Sequence, residues 1–289
     1  VGPSAFGWEP HPEVWLLAGG LLVAYAAVLR SRTPGAPATR AVSRSQLWAF
    51  AAGVLVLWLT LDWPLHALAS EMLAAHMVQH LLLAFVAVPL LLLGLPGWLL
   101  RGMLSPAPLR AAWRWLTRPL TALLLFNSAL IALHWPALVN TAATHHLLHT
   151  GTHLALVAVA FVLWWPVLSP LPEMPPLEYP WAIAYLFAQS TLPAVPASVL
   201  TYGGEAWFDA YALTAPLWGL DPLLDQQIAG LVFKIGGVLL LWGVILALFL
   251  RWHYEEENGA PDIRYWRDVA PELPQGARHP RRADPPPEP

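Results

Sequence analysis

Seven stretches of this chain are apolar for long enough to cross a lipid bilayer, and that fixes the class of fold. Backbone inside hydrocarbon must satisfy its own hydrogen bonds, so each unbroken apolar run has to be a helix. The runs cover about Val14 to Leu29, Leu47 to Leu61, Met72 to Leu95, Leu120 to His134, His145 to Val167, Trp181 to Leu200 and Gln227 to Leu250. Composition agrees: 57% of the 289 residues are hydrophobic and only 11% charged, outside the balance of a soluble domain. The expected fold is an all-α integral membrane protein, a seven-transmembrane-helix bundle over residues 1–254. The remainder, 255–289, is charged and ends in DPPPEP, which reads as a disordered cytoplasmic tail. Pro193 and Pro196 should kink the sixth run near one end.

Arginine sets the expected orientation. Arg30, Arg32, Arg40 and Arg44 lie between runs one and two, and Arg101, Arg110, Arg114 and Arg118 between three and four. Arg251, Arg264, Arg267, Arg278, Arg281 and Arg282 follow run seven, whereas 62–71, 135–144 and 202–226 hold no Lys or Arg. The positive-inside rule then places the N-terminus outside and the C-terminus in the cytoplasm.

With that orientation the histidines gather at one level. His76 and His80 are four residues apart, so on a helix they share a face, about 6 Å apart along the axis, with Met72 on the same stripe. His145, His146, His149 and His153 fall within an arc of roughly 100° on another helix. An ionisable side chain a turn inside the apolar zone is costly and usually functional, which makes His76, His80, His149 and His153 the leading candidates for metal ligands. His145 and His146, nearer the water, are further candidates, and Met72 and Met77 could supply soft sulfur to Cu(I) if they are not simply packing. His66 and His134, each alone at a helix end, read as interfacial hydrogen-bonding residues. Around them stand Glu9, Glu13, Asp62, Glu71, Glu205, Asp209, Asp221 and Asp225, a surface expected to attract cations.

Other chemistries lack support. Cysteine is absent, so disulfides, thiolate metal sites and CxxC redox centres are excluded. Phosphate-binding glycine loops and nucleophile elbows are missing too, and a net charge of −3 gives no reason to expect nucleic acid as a partner. Lys234, the one basic residue inside a run, is expected to make a structural salt bridge outward to an acid near Asp225. Gly230, Gly236 and Gly237 read as positions of close helix packing.

HMVQHLLL, PLLLLGLP, LHWPALVN, HTGTHLALVAVAFVLWWPVLSP and DQQIAG together resemble the multi-spanning CtaG family of bacterial cytochrome c oxidase assembly factors, over about Pro10 to Arg251. The resemblance implies a multi-pass protein of the bacterial plasma membrane that is not an enzyme. Its implied partners are the oxidase subunits, the lipid bilayer and another copper chaperone, and its implied cargo is copper, as Cu(I) or Cu(II). By position, the family's HMxxH pair becomes His76 and His80, the HxxxH before WWP becomes His149 and His153, and its WHxP-like element appears as His134-Trp135-Pro136 without the preceding Trp. A single-span copper protein that shares the CtaG name is unrelated, and the Cys it depends on are missing here. Three other readings stay open at this point: a haem protein with axial histidines, a di-iron membrane oxidoreductase, and a metal-free assembly scaffold.

Overall fold

The computed structural model describes residues 10–30 and 42–258. Among the described residues every regular element is helical. Six helices are long and apolar enough to span a membrane: α1 (Pro12–Arg30), α2 (Arg44–Leu61), α3 (Leu73–Gly94), α5 (His146–Leu168), α6 (Tyr179–Tyr202) and α7 (Pro222–Asn258). Between α3 and α5 lies α4 (Pro119–Leu133), which passes the same test only together with Ala107–Leu116, a helix bent 77° from it. The expected seven-span bundle therefore holds, with its fourth member short.

Helix starts carry local signals. Ser43 and Gln46 form a capping box at α2, and proline occupies the first turn of α4, α6 and α7, where a missing N–H costs nothing. The expected kink in α6 is a break: one helix ends at Thr191 and the next starts at Ala194, with Pro193 unable to donate across the gap. In α3 the ladder is re-spaced as a π turn over Leu83–Ala87. Pro89 supplies the reason, because its ring has no N–H for the Phe85 carbonyl and would clash with it in a regular α turn. The Ala84 carbonyl in this turn instead accepts a 2.8 Å hydrogen bond from the buried indole of Trp164 on α5.

Polar contacts fix which helix ends lie together. The Trp15 indole of α1 donates to Asp62 just past α2 at 2.6 Å. Asp225 of α7 accepts from the backbone N–H groups of Leu73 and Ala74 at 2.7 and 3.0 Å, capping the start of α3. Gln226 bonds to the backbone of Glu205 and Trp207 just past α6. At the other end, Tyr25 of α1 donates to the Gly94 carbonyl at 2.8 Å, and Arg101 pairs with Glu173 at 2.8 Å. Successive spans thus alternate in direction, and the Arg-bearing loop after α3 lies at the end opposite the start of α3.

One expectation needs correction here. Lys234 makes no salt bridge among the described residues; its ammonium donates to Ser198 Oγ at 3.1 Å and sits 5.9 Å from the Tyr202 ring, because the nearest carboxylate in sequence, Asp225, is committed to capping α3. Several of the acids on that side are hydrogen-bonded. Asp62 and Glu71 are held by tryptophan indoles, Asp221 caps α7 through Leu223 and Leu224, and Glu13 pairs with His11 at 3.2 Å.

The described residues up to Phe249 form one compact unit. The second, 250–289, begins as helix, which continues to Asn258 and carries Arg251–Glu255 and His253–Glu257 pairs. The expected tail beyond Asn258 lies outside the described residues, as do Glu9, Arg32 and Arg40.

The α2–α3 seam is a close helix contact. A Cβ on Gly94 would stand 2.5 Å from the Phe50 backbone nitrogen, and one on Gly53 would stand 2.8 Å from that of Leu91. Neither backbone can step aside, so Gly94→Ala is expected to destabilise by roughly 1–3 kcal/mol. Gly102→Ala, whose Cβ would meet no atom within 4 Å, should leave the melting temperature in detergent unchanged; equal melting of the two variants would refute the seam.

Candidate metal centre

Four elements bring imidazoles to one place. The capped first turns of α3 carry His76 and His80, the end of α4 supplies His134, the first turns of α5 supply His149 and His153, and the short helix Leu65–Glu71 between α2 and α3 supplies His66. His76, His80 and His153 are 5, 2 and 6% exposed, so each is buried. Two groups of three offer ligand nitrogens that all lie within 4.8 Å of one another: His76 with His149 and His153, and His76 with His80 and His134. His76 belongs to both.

The hydrogen bonds assign the tautomers. His134 Nδ1 lies 2.8 Å from the Leu130 carbonyl, which can only accept, so in the neutral ring the proton is on Nδ1 and the lone pair on Nε2. That Nε2 lies 3.0 Å from His80 Nδ1, which must then be the donor. The lone pair of His80 is left on Nε2, a buried atom without a hydrogen-bond partner. His76 Nδ1 and His153 Nε2 are buried and unpartnered as well. A polar atom buried in this way costs about 1–3 kcal/mol. A metal ion bound within either three-histidine group would take up such a nitrogen through its lone pair, and a ligand histidine that donates its other ring N–H to a fixed acceptor, as His80 does to His134, is held in orientation.

A cavity of about 310 Å³ opens onto these rings, lined by His66, His76, His80, His146, His149, Thr152 and Tyr211 among others. A second, almost wholly apolar cavity of about 300 Å³ lies between α4, α6 and α7, with Met77, His134, Pro196 and Phe233 in its walls.

The structure places His76, His80, His149 and His153 within the two three-histidine groups and adds His134 to one of them, while His66 belongs to neither group and lines the cavity; on sequence alone His134 and His66 read as single interfacial residues. The WHxP-like element was the available signal for His134; for His66 there was none. His145 and His146 are exposed and belong to neither three-histidine group; His145 bonds to Thr144, while His146 lines the cavity rim. Met72 sits at the N-terminal cap of α3, and Met77 is buried on the apolar side. Tyr211 was unforeseen: its ring lies 6.3 Å from that of His76, and burial, with Asp225 nearby, pushes its phenol up, so it stays protonated beside the site.

Three comparisons with known proteins bear on this arrangement. The family model for the cytochrome c oxidase caa3 assembly factor (Caa3_CtaG) matches residues 23–255. Uncharacterized proteins of Mycobacterium bovis and Mycobacterium tuberculosis are each 25% identical over 261 residues, which is 85% of this chain. The chain spans 38% of the length of those relatives. No solved structure matches.

One titration follows from the geometry outside the spans. Burial above all, then proximity to His11, His149 and His146, holds the His66 ring down to about 4, against about 6.5 in an unfolded chain. Between these values the unfolded chain binds the extra proton, so the His66 contribution to stability is complete above about pH 6.5 and is lost as pH falls toward 4. The fall in melting temperature across that window should be smaller in His66→Gln, and an identical fall would contradict it.

Proposed function

The chain belongs to the cytochrome c oxidase caa3 assembly factor family, and on that premise we propose that it serves assembly as a copper carrier rather than as an enzyme. It takes copper into its histidine centre from the outer side of the bacterial plasma membrane and gives it up to an oxidase subunit. The observation that supports this reading is the set of buried, unpartnered nitrogens of His76, His80 and His153 within two overlapping three-histidine groups.

Imidazole is a borderline ligand that suits copper, zinc, iron and nickel, so the donor set alone does not choose among them. Copper is favoured because an oxidase under assembly consumes it. The absence of thiolate and of a carboxylate in either group matters in a second way. Neutral ligands leave the full charge on the ion, so a low-dielectric site of this kind holds Cu(I) at less cost than a divalent cation. In this reading His76, His149 and His153 form a three-coordinate position, with His80, oriented by His134, beside it. Tyr211 closes the side toward the short helix Asp209–Ala212, and Met77, if it takes part, does so from the apolar side.

The orientation expected from arginine places the cavity outward, with the Arg101 end in the cytoplasm. Partners of the carrier are then the oxidase subunits, a second copper chaperone that feeds it, and the bilayer.

The test is metal content of protein purified without chelator or His tag, followed by Cu(I) titration. Near-stoichiometric copper is expected in the wild type, and at least a hundredfold weaker binding in His76→Ala/His80→Ala. His134→Phe keeps the bulk but removes the orienting acceptor and should weaken binding by about 10- to 100-fold, the usual scale for a residue that positions a ligand. Because each ligand must be unprotonated, affinity should also decline in mild acid. Protein that binds no copper, or binds it equally in the double variant, would overturn the reading.

A further inference from the structure

The histidines do not end at the centre. His11, just ahead of α1, has its ring 4.7 Å from that of His66. His66 is 5.9 Å from His149, and His149 is 4.5 Å from His153 and 6.0 Å from His76. His76 is 4.1 Å from His80, which is 4.9 Å from His134. The series starts at the mouth, where His11 and His66 both stand in the walls of the large cleft between α1 and α5, and ends on buried His80 and half-buried His134, the latter in the wall of the apolar cavity.

These spacings have a definite meaning for a metal. With metal–nitrogen bonds of about 2.0 Å and about 1.2 Å from ring centre to nitrogen, two imidazoles bound to one ion have centres at most about 6.4 Å apart. Every consecutive pair from His11 to His80 is within that limit, the condition that two rings must meet to share an ion. A transfer by such shared states never leaves the metal bare in the bilayer, where an uncoordinated ion would be prohibitively costly.

We propose that His11 and His66 are loading residues, which accept Cu(I) at the mouth of the cleft and hand it by ligand exchange to His149 and then to His76. This rests on the reading of the centre as a copper site and adds its route. No redox step is involved: at each exchange one metal–nitrogen bond forms as another breaks, and the oxidation state is unchanged.

A route residue alters rates, whereas a holding ligand alters affinity. Cu(I) would be offered anaerobically as the complex of a chromophoric chelator, and transfer followed by the loss of its colour in stopped flow. His66→Leu should load at least tenfold more slowly and release copper to excess chelator more slowly by the same factor, while filling to the same final stoichiometry. His66→Met, which restores a soft ligand, should recover most of the rate, and His11→Leu should show a smaller slowing. Loading and release at wild-type rates in His66→Leu, or slow rates that His66→Met does not rescue, would overturn the route. A wild type that takes up no Cu(I) would overturn the centre itself, an outcome distinguishable from failure of the route because the titration of the wild-type protein detects it alone.

Discussion

The carboxylate of Asp225 on the two N–H groups at the start of α3 sets the height of everything above it. An uncapped helix start carries orphan donors and a partial positive charge, and in a membrane protein neither is well tolerated beneath the surface. By meeting both, Asp225 locks the first turn of α3 against α7. His76 and His80 occupy the next turns, so their level relative to His134 and His153 depends on this one contact. The glycine seam with α2 fixes the lower half of the same helix. Between them, α3 is held at both ends and has little freedom to slide.

The centre works by exclusion. Rings in water would each keep a hydrogen-bonded solvent molecule, and a chance arrangement of imidazoles would bind metal only weakly. Here His76, His80 and His153 are buried and the rings are turned by their neighbours, most clearly in the sequence Leu130 carbonyl, His134, His80. That chain of donors sends the one free lone pair to a buried position. A carbonyl at the end of a helix, not an acidic residue, does the orienting, which keeps the site free of negative charge.

Much of this was legible beforehand, and the failures were physical. Periodicity and length gave the spans because hydrocarbon admits few alternatives. The i, i+4 spacings of His76 with His80 and His149 with His153 put each pair on a face. His134 and His66 were passed over because a lone histidine has no spacing to betray it; only the meeting of α4 and the Leu65–Glu71 helix with α3 gives them a role. Lys234 was assigned a salt bridge on proximity in sequence, and lost it because Asp225 had a stronger claim in two backbone donors. The acids near the helix ends have partners that only the fold shows: Asp62 and Glu71 are acceptors for indole N–H groups.

The π turn of α3 has a consequence for how sequences of this kind can change. A π turn is an α helix with one residue inserted. It separates a lower half, packed on α2 through Gly94 and Leu91, from an upper half that carries the histidines. Removing one residue between Leu83 and Ala87, in a chain that also lacks Pro89, would restore a regular helix and turn one half against the other by about 100°. With the lower half held by its seam, the histidines would swing off the centre while the apolar pattern survived almost intact. In an alignment such a deletion would look harmless, and it would separate chains that keep the fold from chains that keep the site.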